Sequence, residues 1–171
     1  MLDPNTASDG ELWIAYALLE AGRLWNRPGY TKAGQQVLQL IRAQEVANLP
    51  GLGPMLLPGR TGFTAPGRWT LNPSYLPLQV LRRCANADPK GPWAAIALNA
   101  TRVLRDSAPV GLAPDWTVWD GKAFSPDPQR GNVGSYDAIR VYLWAGMLDA
   151  GEPLRTKLLR DLSLSLIHIS E

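Results

Sequence analysis

Two acidic residues, Asp9 and Asp137, are the strongest candidates for chemistry in this sequence. Each is expected in the first turn of a helix, and paired carboxylates can serve as acid, base or charged ligand for a substrate. A structural alternative exists for both, because the helix dipole favours an acid there by roughly 0.3–1 kcal/mol and Asp137 could pair with Arg140. Gly10 favours a site beside Asp9, since glycine weakens a helix and leaves room for a ligand.

The residue inventory excludes several other kinds of catalytic site. The chain has one cysteine, Cys84, and one histidine, His168. Neither a Ser-His-Asp or Cys-His centre nor a His/Cys zinc site is expected, and Cys84, inside a helical pattern, is interpreted as a buried inert thiol. No phosphate-binding glycine loop or dinucleotide motif occurs. We therefore expect no metal and no cofactor, and carboxylates, tyrosines and arginines remain as catalytic groups.

Composition and charge indicate an ordinary globular chain. It has 171 residues, of which 46% are hydrophobic and 19% are charged, and its net charge is +2. The basic residues are scattered, which argues against nucleic acid as a partner. No apolar run approaches the roughly 20 residues of a membrane span. The length suggests one domain or part of a larger one.

Hydrophobic periodicity predicts six helices, at residues 9–25, 30–46, 73–86, 93–105, 135–149 and 153–162. Ser8 and Glu11 have the spacing of a capping box for the first helix. Pro73 opens the third helix, with Pro77 as an alternative later start. Two Gly/Pro-rich stretches separate the helix pairs. The first is a loop with room for one short hairpin, and in the second "TVWDGKAF" predicts a hairpin around Asp120.

The helix pairs recur at a constant interval. The first, third and fifth helices start near residues 9, 73 and 137, a spacing of 64 residues each time. This period predicts an all-α fold of stacked αα-hairpins, either a solenoid or a closed toroid, of which three hairpins form about half. The more apolar odd-numbered helices form the inner layer, so their N-termini meet at one rim. Asp9, Asp137 and the segment 73–75 are expected there, walled by the long loops.

Aromatic residues are placed to contact a ligand at that rim. The chain has seven tryptophans and only two phenylalanines. Trp69, Trp116 and Trp119 lie in the Gly/Pro-rich loops, where full burial is harder, while Tyr75 and Tyr136 flank the rim positions. Flat aromatic faces beside carboxylates suit sugar rings, so Trp69 and Trp116 are predicted to bind substrate. Packing in the core is the alternative for each loop tryptophan.

Glycoside hydrolysis is the reaction that such a site suits. It needs one carboxyl group to protonate the leaving oxygen and a second to act on the other face of the sugar. For inversion the two stand about 6.5–9.5 Å apart, which leaves room for a water molecule. Asp9 and Asp137 could belong to such a site without being that pair.

Three motifs resemble glycoside hydrolase family 8. "ASDGELWIAYALLEAGRLW" resembles the family's helix that opens with Ala-Ser/Thr-Asp-Ala/Gly-Asp, with Glu11 in place of the last Asp. "GSYDAIRVYLWAGM" resembles its second motif, and "WTLNPSYL" also fits. The motifs occur in the family's order, and the likeness spans residues 3–163.

The resemblance implies a fold, an activity and residue roles. The fold would be an (α/α)6 toroid, here incomplete, and the activity inverting hydrolysis of a β-1,4-glucan polysaccharide. By motif, Asp137 matches the general base that activates water, and Asp9 matches the acid that holds the distorted sugar. Tyr136 and Arg140 match neighbours that orient the base and water, and Tyr75 would lie in the cleft. Xylanase, chitosanase and a non-catalytic α-solenoid that binds or acts as a scaffold are the alternatives.

One departure concerns the family's general acid, a glutamate in a Ser-Glu-Gly motif that this sequence lacks. We expect a chain that starts after that motif, is inactive by itself and folds poorly because half a toroid exposes two edges. Residues 1–163 would be a partial catalytic domain. The tail "LSLIHISE" at 164–171 is interpreted as non-native and adapter-derived, with a native apolar tail as the alternative. A monomeric, periplasmic or secreted bacterial protein is implied by the resemblance.

Overall fold

The computed structural model describes residues 5–162. Within them the chain forms six α-helices: α1 (Ser8–Leu24), α2 (Pro28–Glu45), α3 (Leu78–Ala87), α4 (Trp93–Asp106), α5 (Tyr136–Gly146) and α6 (Pro153–Asp161). Consecutive helices pack as the pairs α1–α2, α3–α4 and α5–α6. The predicted series of three αα-hairpins is therefore confirmed. The predicted tail at 164–171 lies outside the described residues.

The start of the third predicted helix is corrected. Pro73–Tyr75 forms a short 3₁₀ helix, and α3 begins at Leu78 with Pro77 as its N-cap, so the alternative start at Pro77 is right. The reason is local: a residue before proline is disfavoured in the helical region, and Leu76 has a ψ of 58°. The segment 73–75 thus forms a separate unit at the rim.

The predicted capping box at α1 is wrong. Ala7 is the N-cap and makes no side-chain capping bond. Ser8 is already helical, its amide donates to the carbonyl of Pro58, and its Oγ is buried without a hydrogen-bond partner in the described part of the chain. The helix thus starts one residue earlier than predicted, and the Pro58 carbonyl supplies the acceptor that the first helical amide lacks within its own helix.

Apolar residues at the helical spacing that predicted these two helices form the buried stripes of the α1–α2 hairpin. Leu12, Ala15 and Leu19 of α1 and Leu38 and Ile41 of α2 are fully buried. At Gly34 an added Cβ would stand 2.9 Å from Cγ of Leu19, so glycine lets the two helices approach closely at this point.

The two long loops form more regular structure than expected. Strands β1 (Val46–Leu49) and β2 (Gly53–Leu56) make one hairpin. Strands β3 (Thr64–Ala65), β4 (Arg68–Leu71), β5 (Thr117–Trp119) and β6 (Phe124–Pro126) make an antiparallel sheet in that order, and β5–β6 is the predicted hairpin. Pairing of β4 with β5 joins the loop after α2 to the loop after α4 and builds a wall beside the 3₁₀ helix.

The expectation that a loop tryptophan is hard to bury fully is wrong for Trp119. It lies opposite Trp69 in the β4–β5 pair and is only 2% exposed. Its indole Nε1 donates to the carbonyl of Pro50 at 2.8 Å, which satisfies the polar atom of an otherwise apolar ring.

One side of α5 has no covering element among residues 5–162. Ile139 is 61% exposed and Leu143 is 49% exposed, and both line an apolar groove of about 610 Å³. This exposed face is what an incomplete ring of helices predicts. In the same range, no helix is both long enough and apolar enough to cross a membrane.

Candidate active site

Arg140 joins the two candidate aspartates. Its Nη1 donates to Oδ2 of Asp9 at 2.9 Å, and its Nη2 donates to Oδ1 of Asp137 at 2.7 Å. Asp9 stands in the first turn of α1 and Asp137 in the first turn of α5. The structure therefore brings together the two acids and the arginine that the sequence selected, and the two inner helices do present their N-termini at one rim.

Arg140 forms an ion-paired bridge between Asp9 and Asp137. Burial by itself would lower the pKa of the Arg140 guanidinium, but the hydrogen bonds and charges of Asp9 and Asp137 outweigh burial, and the pKa is raised. Both carboxylates accept from a permanently charged donor. Such acceptors suit a base or a ligand for sugar hydroxyls, and not a proton donor.

Tyr75 lies against this bridge. The guanidinium carbon of Arg140 is 5.4 Å from the centroid of the Tyr75 ring, a cation–π distance. Burial raises the pKa of the Tyr75 hydroxyl, and the negative charges of Asp9 and Asp137 raise it further. The hydroxyl thus remains protonated at neutral pH and is available to donate a hydrogen bond.

Asn72 is a site residue that the sequence analysis missed. Its Nδ2 donates to Oδ2 of Asp137 at 2.8 Å, so each oxygen of that carboxylate accepts one protein donor. The Oδ1 of Asn72 accepts from the amide and the hydroxyl of Ser74. An Asn directly before Pro and Ser is typical of a helix N-cap. That local signal was present in "LNPS", but it did not indicate which distant group the Nδ2 would reach.

Asp115 is a second missed residue, and it fixes the start of α5. Its Oδ1 accepts from the amides of Ser135 and Ala138, and its Oδ2 accepts from the Ser135 hydroxyl. Burial alone would raise the pKa of Asp115, but these hydrogen bonds lower it. Asp115 therefore accepts the free amides at the start of the helix that carries Asp137, from 22 residues earlier in the same α4–α5 connection, and does what the side chain of the N-cap residue Ser135 does not do.

Trp116 belongs to an aromatic cluster beside Tyr75. Its ring centroid is 6.2 Å from that of Tyr75, and it stacks on Phe63 at 5.8 Å with an interplanar angle of 3°. Arg130, held by Asp127, lies over the Trp116 ring at 4.5 Å. A groove of about 170 Å³ runs beside this cluster and is lined by Phe63 and Arg130. The predicted contact of Trp116 with the cleft has a geometric basis, and Phe63 joins it.

Trp69 and Tyr136 are not brought into the cluster. Trp69 is half-buried in β4 and packs against the core, and within residues 5–162 it makes no ring contact with Tyr75 or Trp116. Tyr136 is 89% exposed. Since neighbouring helical residues are rotated by about 100°, Tyr136 leaves the face that Asp137 and Arg140 share. The predicted role of Tyr136 in orienting the base therefore lacks a contact in this structure.

Comparison with known proteins gives the site a family context. Residues 1–169 match the sequence profile described as "Glycosyl hydrolases family 8". An endoglucanase of Xanthomonas axonopodis pv. citri (strain 306) is 86% identical over 163 residues, which cover 95% of this chain and 42% of that protein. An endoglucanase of Escherichia coli (strain K12) is 41% identical over 160 residues, covering 93% of this chain and 43% of the relative.

A solved structure agrees with the fold. The endo-1,4-D-glucanase from Vibrio fischeri ES114 superposes with a TM-score of 0.94 at 44% identity, and the match covers 99% of this chain and 49% of that chain. The predicted incomplete (α/α)6 toroid is confirmed. The chain spans less than half the length of the curated relatives described above.

Proposed function

Because the chain belongs to glycosyl hydrolases family 8, we propose that it supplies the general base of a site that hydrolyses internal β-1,4-glucosidic bonds with inversion. The observation that carries this proposal is Arg140 bridging Asp9 and Asp137 at one rim. The substrate assignment rests on relatives whose names are endoglucanase and endo-1,4-D-glucanase. The activity is proposed for a protein as long as these relatives, and residues 5–162 supply the part of the site described above.

Asp137 is the proposed general base. In inversion a water molecule attacks the anomeric carbon from the face opposite the leaving group. Asp137 takes a proton from that water as the new carbon–oxygen bond forms, while a separate acid protonates the leaving oxygen as the glycosidic bond breaks. We assign no residue between 5 and 162 to that acid.

Asp9 is the proposed ligand for the distorted sugar at the cleavage point. Its carboxylate shares Arg140 with Asp137, so the two groups are held by one guanidinium and do not flank a bond as acid and base would. Its side chain is 17% exposed, which leaves an edge of the carboxylate open to a sugar hydroxyl. Hydrogen bonds to sugar hydroxyls that strengthen in the transition state contribute several kcal/mol in such enzymes.

The aromatic residues define the proposed path of the glucan chain. Tyr75 and Trp116 lie together next to the bridge, and the groove beside Phe63 and Arg130 continues from them. Apolar sugar faces stack on such rings while their hydroxyls stay at the polar edge. Tyr136, exposed at the mouth, and Trp69 in β4 would at most contact more distant sugar units. A polymeric substrate fits the proposed periplasmic or secreted location.

The test uses a chimera in which this chain replaces the matching 163 residues of the Xanthomonas endoglucanase. The chimera should release reducing ends from a soluble cellulose derivative, with the opposite anomer as first product by NMR. Asp137→Asn should lower kcat by at least about 100-fold, the scale of general base catalysis. Unchanged activity in that variant would remove the assignment of Asp137. Parallel assays on xylan and chitosan decide the glycan.

A further inference from the structure

We infer that Asn72 is a positioning residue that sets the orientation of the Asp137 carboxylate. This inference rests on the proposed role of Asp137 as base. Asn72 is 2% exposed, so its carboxamide must find its partners within the protein. The described residues supply a partner on each side: Asp137 accepts from the nitrogen, and Ser74 donates to the oxygen.

The direction of the carboxamide is determined by chemistry. Ser74 donates two hydrogen bonds to Oδ1 of Asn72, one from its amide at 3.0 Å and one from its hydroxyl at 2.7 Å. Asp137 offers only acceptor oxygens when ionised. A flipped amide would place an oxygen against the carboxylate and an NH₂ group against the Ser74 amide, so only the observed orientation satisfies all partners.

The segment that carries Asn72 is itself anchored to α5. The carbonyl of Ser74 accepts from Nε1 of Trp144 at 2.8 Å, and Trp144 lies two helical turns after Asp137. The rim segment thus has two attachments along the same helix, one at Asp137 and one at Trp144. Pro73, which lies between Asn72 and Ser74 in the chain, restricts the backbone of this segment. These contacts make Asn72 a fixed support for the base.

The consequence is a carboxylate whose plane is held at both oxygens. Nη2 of Arg140 occupies one site on Oδ1, and Nδ2 of Asn72 occupies one site on Oδ2. Each oxygen keeps a further lone pair, so the carboxylate can still accept a proton from water while it cannot rotate freely. Arg140 also donates to Asp9, whereas among residues 5–162 the Nδ2 of Asn72 donates to Asp137 and not to Asp9. Loss of Asn72 should therefore affect the chemical step and leave substrate affinity nearly intact.

A purely structural role for Asn72 makes a different prediction. Asn72 caps the 3₁₀ helix through Oδ1, and Ser is as good a cap as Asn. Asn72→Ser therefore keeps the cap and adds no charge, but it removes the Nδ2 donor to Asp137. If only the cap mattered, this variant would behave like the wild type.

The experiment measures Asn72→Ser in the Xanthomonas chimera, with Asp137→Asn beside it. We expect kcat to fall about 10- to 100-fold, KM to change less than about threefold, and the acidic limb of the pH–rate profile to move to higher pH. The melting temperature should stay within a few degrees of the wild type. Asn99→Ser is the matched control, because Nδ2 of Asn99 donates to the Pro54 carbonyl away from the site, and its kcat should not change.

The outcomes separate this inference from the proposed function. Wild-type kcat and pH profile in Asn72→Ser, with Asp137→Asn inactive, would overturn the positioning role and leave the base assigned. A fall in kcat that is matched by a large fall in melting temperature would also overturn it, in favour of a structural role. An active Asp137→Asn would instead remove the proposed function.

Discussion

Nη1 of Arg140 lies 2.9 Å from Oδ2 of Asp9, although 131 positions separate the two residues in the chain. This ion pair connects α1 to α5. Its side chains are only 32% and 17% exposed, so water screens it less than an ordinary surface pair.

Replacing Arg140 by lysine should weaken this connection. An ammonium group cannot reproduce the two directed donors that the planar guanidinium aims at two carboxylates. We expect the free energy of unfolding to fall by about 1–2 kcal/mol in urea denaturation, with loss of hydrolysis in the chimera. Arg23→Lys is the control, since Arg23 pairs with Glu20 at a side-chain exposure of 59% and should show no measurable change. Equal stability of both variants would argue against a structural bridge.

Removing the Asp115 carboxylate should loosen the start of α5. Asp115→Ala leaves the Ser135 and Ala138 amides without their acceptor, and we expect a loss of about 1–2 kcal/mol at pH 7. Asp120, which accepts two amides in the exposed β5–β6 turn, is the control, and Asp120→Ala should cost less. Because the folded pKa of Asp115 is lowered, its contribution is present above the unfolded pKa and is lost as pH falls through the folded value. The wild type and Asp115→Ala should therefore reach the same stability at strongly acidic pH.

Glu45 should make the fold less stable as pH rises. The side chain is fully buried, with Thr6, Glu11 and Arg60 as its polar neighbours. Burial raises the pKa of Glu45 to about 7, Glu11 adds to the rise, and Thr6 and Arg60 oppose it. The folded state thus binds a proton that the unfolded state has released between about pH 4.5 and 7, so stability falls across that window, by roughly 3 kcal/mol at most.

The variant Glu45→Gln isolates this effect. The neutral amide has the shape of the protonated acid, so the variant should be closest to the wild type below about pH 4.5, where Glu45 is protonated in both states, and more stable at pH 8. Melting curves at the two pH values measure the difference. An identical pH dependence in both proteins would show that Glu45 does not titrate in this range.

Gly10→Ala separates stability from ligand binding. No atom lies within 4 Å of a Cβ added at Gly10, so alanine should stabilise α1 by about 0.5–1 kcal/mol through helix propensity. If the substrate approaches the backbone next to Asp9, the same methyl group should raise KM of the chimera severalfold. Gly29 is the matched control, because it is also open and lies in the first turn of α2. Gly29→Ala should stabilise without altering KM, and equal KM in both variants would speak against contact at Gly10.

Much of the scaffold was predictable because its signals are local. The stripe of Leu12, Ala15 and Leu19 repeats with the helical period, and it is buried as expected. The recurring helix pairs predicted the three hairpins, since a repeated supersecondary unit leaves a repeated pattern, although the inner helices start 70 and 58 residues apart at Ser8, Leu78 and Tyr136 and not at an even interval of 64. Asp137 and Arg140 were found together because a three-residue spacing places them on one helical face. The predicted helix-start details failed where a loop contact, such as Ser8 to Pro58, competed with the local pattern.

The remaining parts of the site depend on contacts between distant segments. Trp69 and Trp116 looked alike in the sequence, but strand pairing placed one against the core and the other beside Tyr75. Asn72 and Asp115 carry only weak local signals, because their partners lie on α5 and at its start. The sequence by itself determined which helices form and which acids begin them, since hydrophobic period and turn residues act over a few positions. Only the tertiary structure decided which donors meet Asp137, because hydrogen bonds across the rim depend on how the loops pack and leave no period in the chain.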